Sequence, residues 1–433
     1  MRVAIIGGGI SGIASAFYLL KRNHEVDLYE SKEQIGGRAG SDLLDGRWVD
    51  FGGKNIGKNY IRFREFVETC NNPEFEYFGI NTSQLINGRI VKLNRDGAKL
   101  YNLIKVIHLC GLPGFIKIYP HIKAILHDRS QGVLASDHFK KLSDQSDNLT
   151  LAEYLPRRCI DNVVRPITIR MNGAEPDECY PGNFGSNLSL VVDSYEQLVT
   201  GMHQLLNTFI SRHINTSLKL LKEHRVISVT RNQKSLQIGY RNPEGTGTEQ
   251  YDRIISALPA HDLATLLDNS LPEAANLFRQ INYFPVGIAI VKYKNDVFPE
   301  NRRAMIFDRD SPLSNAGAYG INDLNMVRYT YSGRISRSII TEQTSPETVI
   351  GLGETIASPY FNIAENCKEA FVYKYFSKGL CGYSAQHHLL LEKIDRIIEK
   401  MNGFGVTGDY RRGASIEACF RAASECVDNV IGD

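Results

Sequence analysis

The sequence predicts an α/β fold that contains a parallel sheet, and three observations lead to this prediction. The N-terminal residues follow the order strand, glycine-rich turn, helix and strand, which is typical of a βαβ unit. Short runs of the buried-strand type recur far along the chain, near residues 254 and 406. The residues between these runs divide into a mainly helical stretch and a β-rich stretch, which favours more than one domain.

The N-terminal elements are predicted from hydrophobic patterning. Residues 3–6 form an apolar run that is typical of a buried strand in a parallel sheet. A glycine-rich turn over residues 7–12 opens a helical pattern at residues 13–20. A second strand is predicted at residues 25–29, with Glu30 at its carboxyl end.

The turn between this strand and helix predicts a site for the pyrophosphate of a dinucleotide. Its first glycine permits a tight turn, its third lets the backbone approach the phosphates, and its fourth lets the helix pack on the strand. The helix N-terminus favours an anion, and Glu30 lies where a carboxylate can bind ribose hydroxyls. The alternative is a strand-turn-helix unit without a ligand. The predicted contacts are Gly7, Gly9, Ile10, Ser11, Gly12 and Glu30.

The remaining elements follow from the same patterns. Residues from about 60 to 205 are predicted to be mainly helical, including a helix over residues 194–209. A helix over about residues 415–430 is predicted to close the chain. The strands predicted in between are residues 226–230, 236–240, 252–259 and 286–293, and a strand and turn at 405–409.

Composition excludes several classes of protein. The chain has 433 residues, of which 42% are hydrophobic and 23% charged, as in ordinary globular proteins. A formal net charge of +2 gives no bulk attraction to nucleic acid, so we predict no nucleic-acid partner. The eight cysteines form no Cys-x-x-Cys pair, and we predict reduced thiols, no metal site and a cytoplasmic location. We also expect no signal peptide, because the first strand begins at Arg2.

Residues 103–126 contain the nearest candidate in this chain for a membrane-spanning run. Charged residues, two prolines and two glycines interrupt its first part, so it is too broken for a membrane-spanning helix. One interpretation is that its helices pack on the core of an inserted domain. The other is a peripheral contact with a membrane surface, aided by Lys105, Lys117 and Lys123.

Four motifs together resemble one family. Gly36-Gly37-Arg38-Ala39-Gly40-Ser41 and Asp50-Phe51-Gly52-Gly53 follow the glycine-rich turn and Glu30, and Gly408-Asp409 lies near the C-terminus. This set resembles the FAD-dependent amine oxidase superfamily, which includes protoporphyrinogen oxidases and phytoene desaturases. The resemblance implies a Rossmann-like FAD-binding domain and an α+β substrate domain built from insertions. It places the FAD-binding domain at residues 1–58, 206–282 and 384–433, and the substrate domain at residues 59–205 and 283–383.

The resemblance also assigns roles to residues. It implies that Glu30 binds the adenosine ribose, that Val226 pairs with adenine through its backbone, and that Asp409 holds the ribityl or pyrophosphate region. Gly37 and Arg38 would lie against the pyrophosphate and flavin, and Ser415 and Ile416 would direct N–H groups at the flavin pyrimidine edge. The remaining implied FAD contacts are Gly52, Gly53 and Gly408.

Two departures from the amine oxidase pattern affect the predicted chemistry. Many amine oxidases of this family place a lysine on the strand that matches residues 286–291, where this chain has Val286, Gly287 and Ile288. They also place aromatic residues before the last helix, where this chain has Ala414 and Ser415. The sequence therefore predicts dehydrogenation, by desaturation, of a small or medium biosynthetic intermediate, with hydride transfer to flavin N5. Two alternatives stay open: an amine or amino-acid oxidase that produces imine and peroxide, and a non-redox flavin-dependent isomerase.

The sequence offers few candidates for substrate chemistry. Lys54 and Asn55 directly follow the second glycine motif and are expected to enter the substrate cavity. Lys54 and Tyr383 are the catalytic candidates, and Asn55 and Arg170 are the candidate substrate contacts. The expected partners are a small-molecule substrate and an electron acceptor, either oxygen or another; the oligomeric state is left open.

Overall fold

The computed structural model describes residues 1–77, 82–93, 99–214, 216–232 and 235–432. Its strands, in chain order, are β1 (Arg2–Ile6), β2 (Glu25–Tyr29), β3 (Ser41–Leu44), β4 (Arg47–Asp50), β5 (Ile56–Gly57), β6 (Phe75–Tyr77), β7 (Thr82–Ile86), β8 (Arg89–Leu93), β9 (Tyr195–Leu198), β10 (Leu218–Leu221), β11 (Arg225–Arg231), β12 (Leu236–Asn242), β13 (Gly245–Tyr251), β14 (Arg253–Ser256), β15 (Tyr283–Tyr293), β16 (Ala304–Ile306), β17 (Leu313–Ala318), β18 (Met326–Tyr331), β19 (Lys368–Cys381) and β20 (Phe404–Val406).

The α-helices of the described residues have these bounds: α1 (Ile10–Lys21), α2 (Ile61–Glu68), α3 (Lys99–Cys110), α4 (Leu112–His127), α5 (Asp137–Ser146), α6 (Leu151–Tyr154), α7 (Arg157–Cys159), α8 (Arg165–Met171), α9 (Gly185–Val191), α10 (Gly201–His213), α11 (Ala260–Leu267), α12 (Pro272–Phe278), α13 (Arg334–Ile339), α14 (Pro346–Ala357), α15 (His387–Ile398), α16 (Asp409–Arg412) and α17 (Ile416–Ile431).

A five-stranded parallel sheet confirms the predicted α/β fold. Its strand order is β10-β2-β1-β14-β20, and every neighbouring pair is parallel. The central strand β1 is fully buried at Val3 and Ile5, because helices cover the sheet. On one face, Ile13 and Phe17 of α1 pack in the same core as Phe420 of α17. The first and last helices of the chain therefore lie side by side, next to the sheet.

A seven-stranded mixed sheet forms the second major layer, in the order β19-β15-β18-β17-β16-β7-β8. One face of this sheet carries Tyr329 and Tyr331 of β18, which pack in a core with Val349 of α14. The opposite face carries Val286 and Ile288 of β15, which pack with residues of the β3–β4 hairpin. The alternation follows from strand geometry, since successive side chains point to opposite faces.

The origin of these strands supports the division into two domains that the sequence suggests. The parallel sheet takes all its strands from residues 1–58, 206–282 and 384–433. The seven-stranded sheet combines strands from residues 59–205 and 283–383. The exact boundaries stay a proposal.

The prediction of a mainly helical stretch from about 60 to 205 was partly wrong. Helices α2 to α9 lie there, but so do β6 to β9. The helix predicted over residues 194–209 is instead the strand β9 followed by the helix α10. The reason is tertiary, because β9 pairs with β5 and with β6, which are far away in sequence. In the part of the chain that the structure describes, no helix has the length and apolarity to cross a bilayer.

Candidate functional site

The glycine-rich turn joins β1 directly to α1, at the carboxyl edge of the parallel sheet. Gly7 N donates to Tyr29 O over 2.8 Å, which ties the turn to β2. A Cβ atom at Gly12 would lie only 1.9 Å from Gly7 O, so helix and turn approach as closely as the sequence predicts. Ile10 and Ser11 occupy the first turn of α1. The unpaired N–H groups at this helix start make an anion site.

Glu30 lies immediately after β2 and its side chain is 8% exposed. One carboxylate oxygen accepts from Gly8 N and the other from Lys32 N, both over 2.9 Å. The carboxylate is therefore fixed beside the glycine-rich turn. Val226 also lies in this region: it is opposite Tyr240 in the β11–β12 pair, and the neighbouring His224 N donates to Glu30 O over 2.9 Å.

Arg38 and Asp409 connect two predicted cofactor motifs that are 371 residues apart. Arg38 Nη1 donates to Asp409 Oδ2 over 2.7 Å and to Gly379 O over 3.1 Å. The Tyr283 hydroxyl donates to the other oxygen of Asp409 over 2.8 Å. Desolvation opposes the charge of Arg38, but the adjacent Asp409 outweighs it and raises the pKa of the guanidinium above its ordinary value. Burial and then the Asp409 charge raise the pKa of Tyr283 well above its ordinary value, so this hydroxyl stays a donor.

The remaining glycine motifs pack against these groups. Gly37 approaches Gly9, because a Cβ atom at Gly37 would lie 3.2 Å from Gly9 Cα. Gly52 packs against the backbone of Arg38, and Gly408 directly precedes α16, whose first residue is Asp409.

Gly53 has a φ of +69° and would place a Cβ atom 2.8 Å from Ile416 Cδ1, so the turn and the start of α17 are in contact. Ser415 caps α17, since its side chain accepts from Ala418 N over 3.1 Å. The start of this helix directs positive potential at the same region as the start of α1.

The catalytic candidate Lys54 is 9% exposed, inside a polar cluster. Its Nζ donates to Gln197 Oε1 over 2.8 Å and also to Tyr319 O. Burial, with a contribution from the charge of Arg328, lowers the pKa of Lys54 well below its ordinary range. The next residue, Asn55, is exposed. Lys54, Asp50 and Tyr319 line a small cavity of about 20 Å³.

The other two candidates have contacts of a structural kind. The buried Tyr383 hydroxyl donates to Asp409 O over 3.1 Å, so this side chain supports the Asp409 segment. The half-buried Arg170 donates from Nε to Pro166 O, one turn earlier in α8. The nearby Arg165 is buried in an ion pair with Glu175, at 2.6 Å.

Sequence reasoning missed two polar residues at this site, Tyr283 and Arg328. Tyr283 begins β15, and its role depends on Asp409, which is 126 residues away. Arg328 did leave a signal, because it is a cation within the otherwise uncharged strand β18. Its Nη2 donates to Phe51 O over 2.7 Å, next to the Gly52-Gly53 turn.

Comparisons with known proteins give the family and the fold of the chain. The zeta-carotene desaturase of Synechocystis sp. is 48% identical over 56 residues, which are 13% of this chain and 10% of that protein. The L-amino-acid oxidase of Sistrurus catenatus edwardsii is 22% identical over 311 residues, which are 65% of this chain and 56% of the oxidase. The matched regions therefore span little more than half of these relatives at most. The structure of cyclohexylamine oxidase from Brevibacterium oxydans has the same fold, with a TM-score of 0.75, 14% identity, and coverage of 99% of this chain and 98% of that one.

The described residues fit a bound FAD. Two helix starts, a buried carboxylate at the end of β2 and the Arg38–Asp409 pair converge on one site. Residues 10–321 match the family of flavin containing amine oxidoreductases, and this match covers most of the chain. FAD is the cofactor of this family, and the motifs just described are the candidate site for it in this chain. The chain belongs to the flavin containing amine oxidoreductases.

Proposed function

We propose that this chain is an FAD-dependent oxidoreductase that desaturates a small or medium organic biosynthetic intermediate. When bound, FAD supplies a hydride acceptor at N5. One observation carries the proposal: Val286 and Ile288, which are 5% and 6% exposed, lie in an apolar cluster on the sheet face beside the Gly52-Gly53 turn. This face is apolar where many amine oxidases of this family place a lysine, which favours desaturation over amine oxidation, and its packing excludes water.

The roles of the cofactor-binding residues are part of the proposal. Glu30 binds ribose hydroxyls, and the start of α1 binds the pyrophosphate. Arg38, Tyr283 and Asp409 form a fixed network that orients the flavin side of the site. Ser415 and Ile416 present the start of α17, which stabilises negative charge on the reduced cofactor. Supporting this, all these groups contact one another or the glycine turns.

Lys54 is proposed to act as a hydrogen-bond donor in the cavity wall, where its Nζ donates to Gln197 Oε1 and burial lowers its pKa. Asn55 is exposed and is proposed as a substrate contact. Tyr383 supports Asp409 by donating a hydrogen bond to its backbone carbonyl. Arg170 stays a weaker candidate for a substrate contact, since its half-buried guanidinium donates to a carbonyl of its own helix.

The mass of the product separates this proposal from its two alternatives. The FAD-loaded protein is incubated with a panel of apolar acids, amines and isoprenoid-like compounds, with oxygen and with an artificial electron acceptor. Desaturation yields a product that is lighter than the substrate by two hydrogen atoms. A substrate that contains nitrogen keeps its nitrogen in this product. Formation of an imine, which water hydrolyses to a carbonyl compound and ammonia or an amine while oxygen takes up the two electrons as peroxide, would show the amine oxidase. An unchanged mass with altered structure would show the isomerase. Either outcome contradicts the proposal.

We also propose a peripheral membrane contact through α3 and α4. Leu112 and Ile116 are 61% and 60% exposed, and Ile104 is 57% exposed. Apolar side chains exposed beside Lys117 and Lys123 suit an interface with anionic lipid.

Co-flotation with phosphatidylcholine vesicles, with and without phosphatidylserine, tests this contact. The wild type should float with the phosphatidylserine vesicles, and the double variant Leu112→Ser, Ile116→Ser should not. Ile61→Ser is the matched control, because Ile61 is 67% exposed on α2. If the double variant floats with the phosphatidylserine vesicles as much as Ile61→Ser does, the proposed contact is contradicted.

A further inference from the structure

Arg328 is a half-buried cation that has no carboxylate partner among the described residues. Its Nη1 donates to Thr330 Oγ1 and its Nη2 to Phe51 O, each over 2.7 Å. Its Nε is buried and has no hydrogen-bond partner. Among the described residues, no Asp or Glu forms an ion pair with it or raises its pKa. Both of its acceptors are neutral groups, which leave the positive charge uncompensated.

Some other arginines of this chain that are buried or half-buried pair with a carboxylate. Arg38 pairs with Asp409 at 2.7 Å, Arg165 with Glu175 at 2.6 Å, and Arg411 with Asp395 at 2.8 Å. Such pairing is the general rule, because an isolated charge away from water is costly. Arg328 is the exception among these sites, and burial lowers its pKa to about 10, so it still carries its charge at neutral pH.

The position of Arg328 relates it to the cofactor motifs. Phe51 O, which accepts from Arg328, belongs to the Asp50-Phe51-Gly52-Gly53 motif. Gly52 packs on Arg38 and Gly53 on Ile416, so this turn contacts two further parts of the predicted flavin site. Arg328 lies opposite Ile290, and Thr330 lies opposite Ile288, on the sheet face that packs with Phe51.

The surroundings of Arg328 combine one charge with apolar walls. Ile288, Ile290 and Phe51 belong to the apolar cluster on this face. Arg328 is only partly covered, so part of the side chain is accessible. Lys54 lies near enough to Arg328 for the two charges to repel each other, and this repulsion adds to burial in lowering the pKa of Lys54.

We propose that Arg328 binds the carboxylate of the substrate, which is therefore an apolar organic acid. The unused N–H groups of the guanidinium form the fork that a carboxylate accepts best. The apolar face beside them holds the hydrocarbon part, with its reactive C–H bond next to the cofactor motifs. This inference rests on the proposed function, because it names the substrate class of the same site.

Binding of matched acids and amides tests the inference. The FAD-loaded protein is titrated with octanoate and octanamide, and with benzoate and benzamide, by calorimetry and by the absorbance of the bound flavin. At least one acid should bind more tightly than its amide in the wild type. Arg328→Gln should weaken binding of the acid about tenfold to a hundredfold and leave binding of the amide unchanged.

Arg279→Gln is the control, since it removes the same charge from an exposed arginine that pairs with Asp268. Arg328→Lys keeps the charge and loses the fork, so it should retain part of the preference; it replaces Arg328→Gln if that variant does not fold. A structural role alone would lower stability without changing the preference of acid over amide.

The inference is overturned if no acid binds better than its amide, or if the preference survives at Arg328→Gln as it does at Arg279→Gln. Desaturation of a neutral compound without acid binding would overturn it and leave the proposed function intact. Acid binding without any desaturated product would overturn the proposed function and leave the inference about Arg328 intact.

Discussion

Single residues at the flavin site are fixed by hydrogen bonds that span the chain. Asp409 accepts from Arg38 and from Tyr283, and its backbone carbonyl accepts from Tyr383. Each of these donors comes from a different segment, so each side chain has one orientation. At this scale the structure makes two predictions, one for a carboxylate and one for a histidine.

Replacing the Glu30 carboxylate should weaken FAD binding. Glu30→Gln keeps the shape of the side chain but removes the charge that suits ribose hydroxyls, so the dissociation constant of FAD should rise at least about tenfold. Fluorescence titration of the apoprotein with FAD measures this. Glu25→Gln is the control, because Glu25 is an exposed acid at the start of β2, the strand that Glu30 follows. Equal affinities for the two variants would contradict the assigned role.

His387 should make the protein less stable in mild acid. Its side chain is fully buried, its Nε2 bonds to Tyr410 O over 2.9 Å, and its Nδ1 has no partner. A proton on Nδ1 would be buried and unsatisfied, and burial lowers the pKa of His387 to about 4. In the unfolded chain the pKa of His387 is about 6.5, so the unfolded chain binds more protons than the folded one as the pH falls. The unfolding free energy should therefore decrease between about pH 6.5 and pH 4.

Urea unfolding at two pH values measures this effect. Between pH 7 and pH 5, His387 should cost the wild type about 2 kcal/mol. In the variant His387→Gln, most of this decrease in unfolding free energy between pH 7 and pH 5 should disappear, although the variant is less stable than the wild type at pH 7. His127→Gln, at an exposed histidine, should keep the wild-type dependence. An unchanged dependence in His387→Gln would show that another group is responsible.

At the scale of elements, the first helix depends on one close contact. Gly12→Ala would bring Cβ to within 1.9 Å of Gly7 O, and backbone cannot easily move away. The substitution should cost at least about 1–3 kcal/mol and abolish FAD retention. Gly351→Ala is the matched control in α14, where nothing lies within 4 Å; it should stabilise by about 0.5–1 kcal/mol. Thermal unfolding and the flavin absorbance report both effects, and similar behaviour of the two variants would refute the contact.

The elements also show what sequence patterns can and cannot predict. The buried strands β1, β14 and β15 were predicted because an apolar run is a local property. The strand β9 was not, because only its pairing with β5 and β6 makes it a strand. The same limit applies to the site. Glu30 and Arg38 belong to local motifs, whereas Arg328 reaches Phe51 only through the pairing and packing of β18.

At the scale of the whole molecule, the proposed FAD site is assembled from both ends and the middle of the chain. Glu30 and Arg38 come from the first 58 residues, Val226 from the middle, and Asp409 and Ile416 from the last segment. A ligand that spans these parts opposes global unfolding.

Added FAD should therefore raise the unfolding temperature of the entire protein. With free FAD at about 100 times its dissociation constant, the gain is about 2.7 kcal/mol. Scanning calorimetry of the apoprotein over a series of FAD concentrations checks this, with AMP as a partial ligand for comparison. An unfolding temperature that does not depend on FAD would contradict the assembly of the site from these segments.

The alternation along β18 separates two tasks. Val327, Tyr329 and Tyr331 face the core beside α14, while Arg328 and Thr330 face the cofactor motifs. On the proposed role of Arg328, changes on its side of this strand would alter which molecules are bound, while the other side continues to pack in the domain core. Substrate range in this protein is open to redesign at positions whose replacement leaves the hydrophobic core in place.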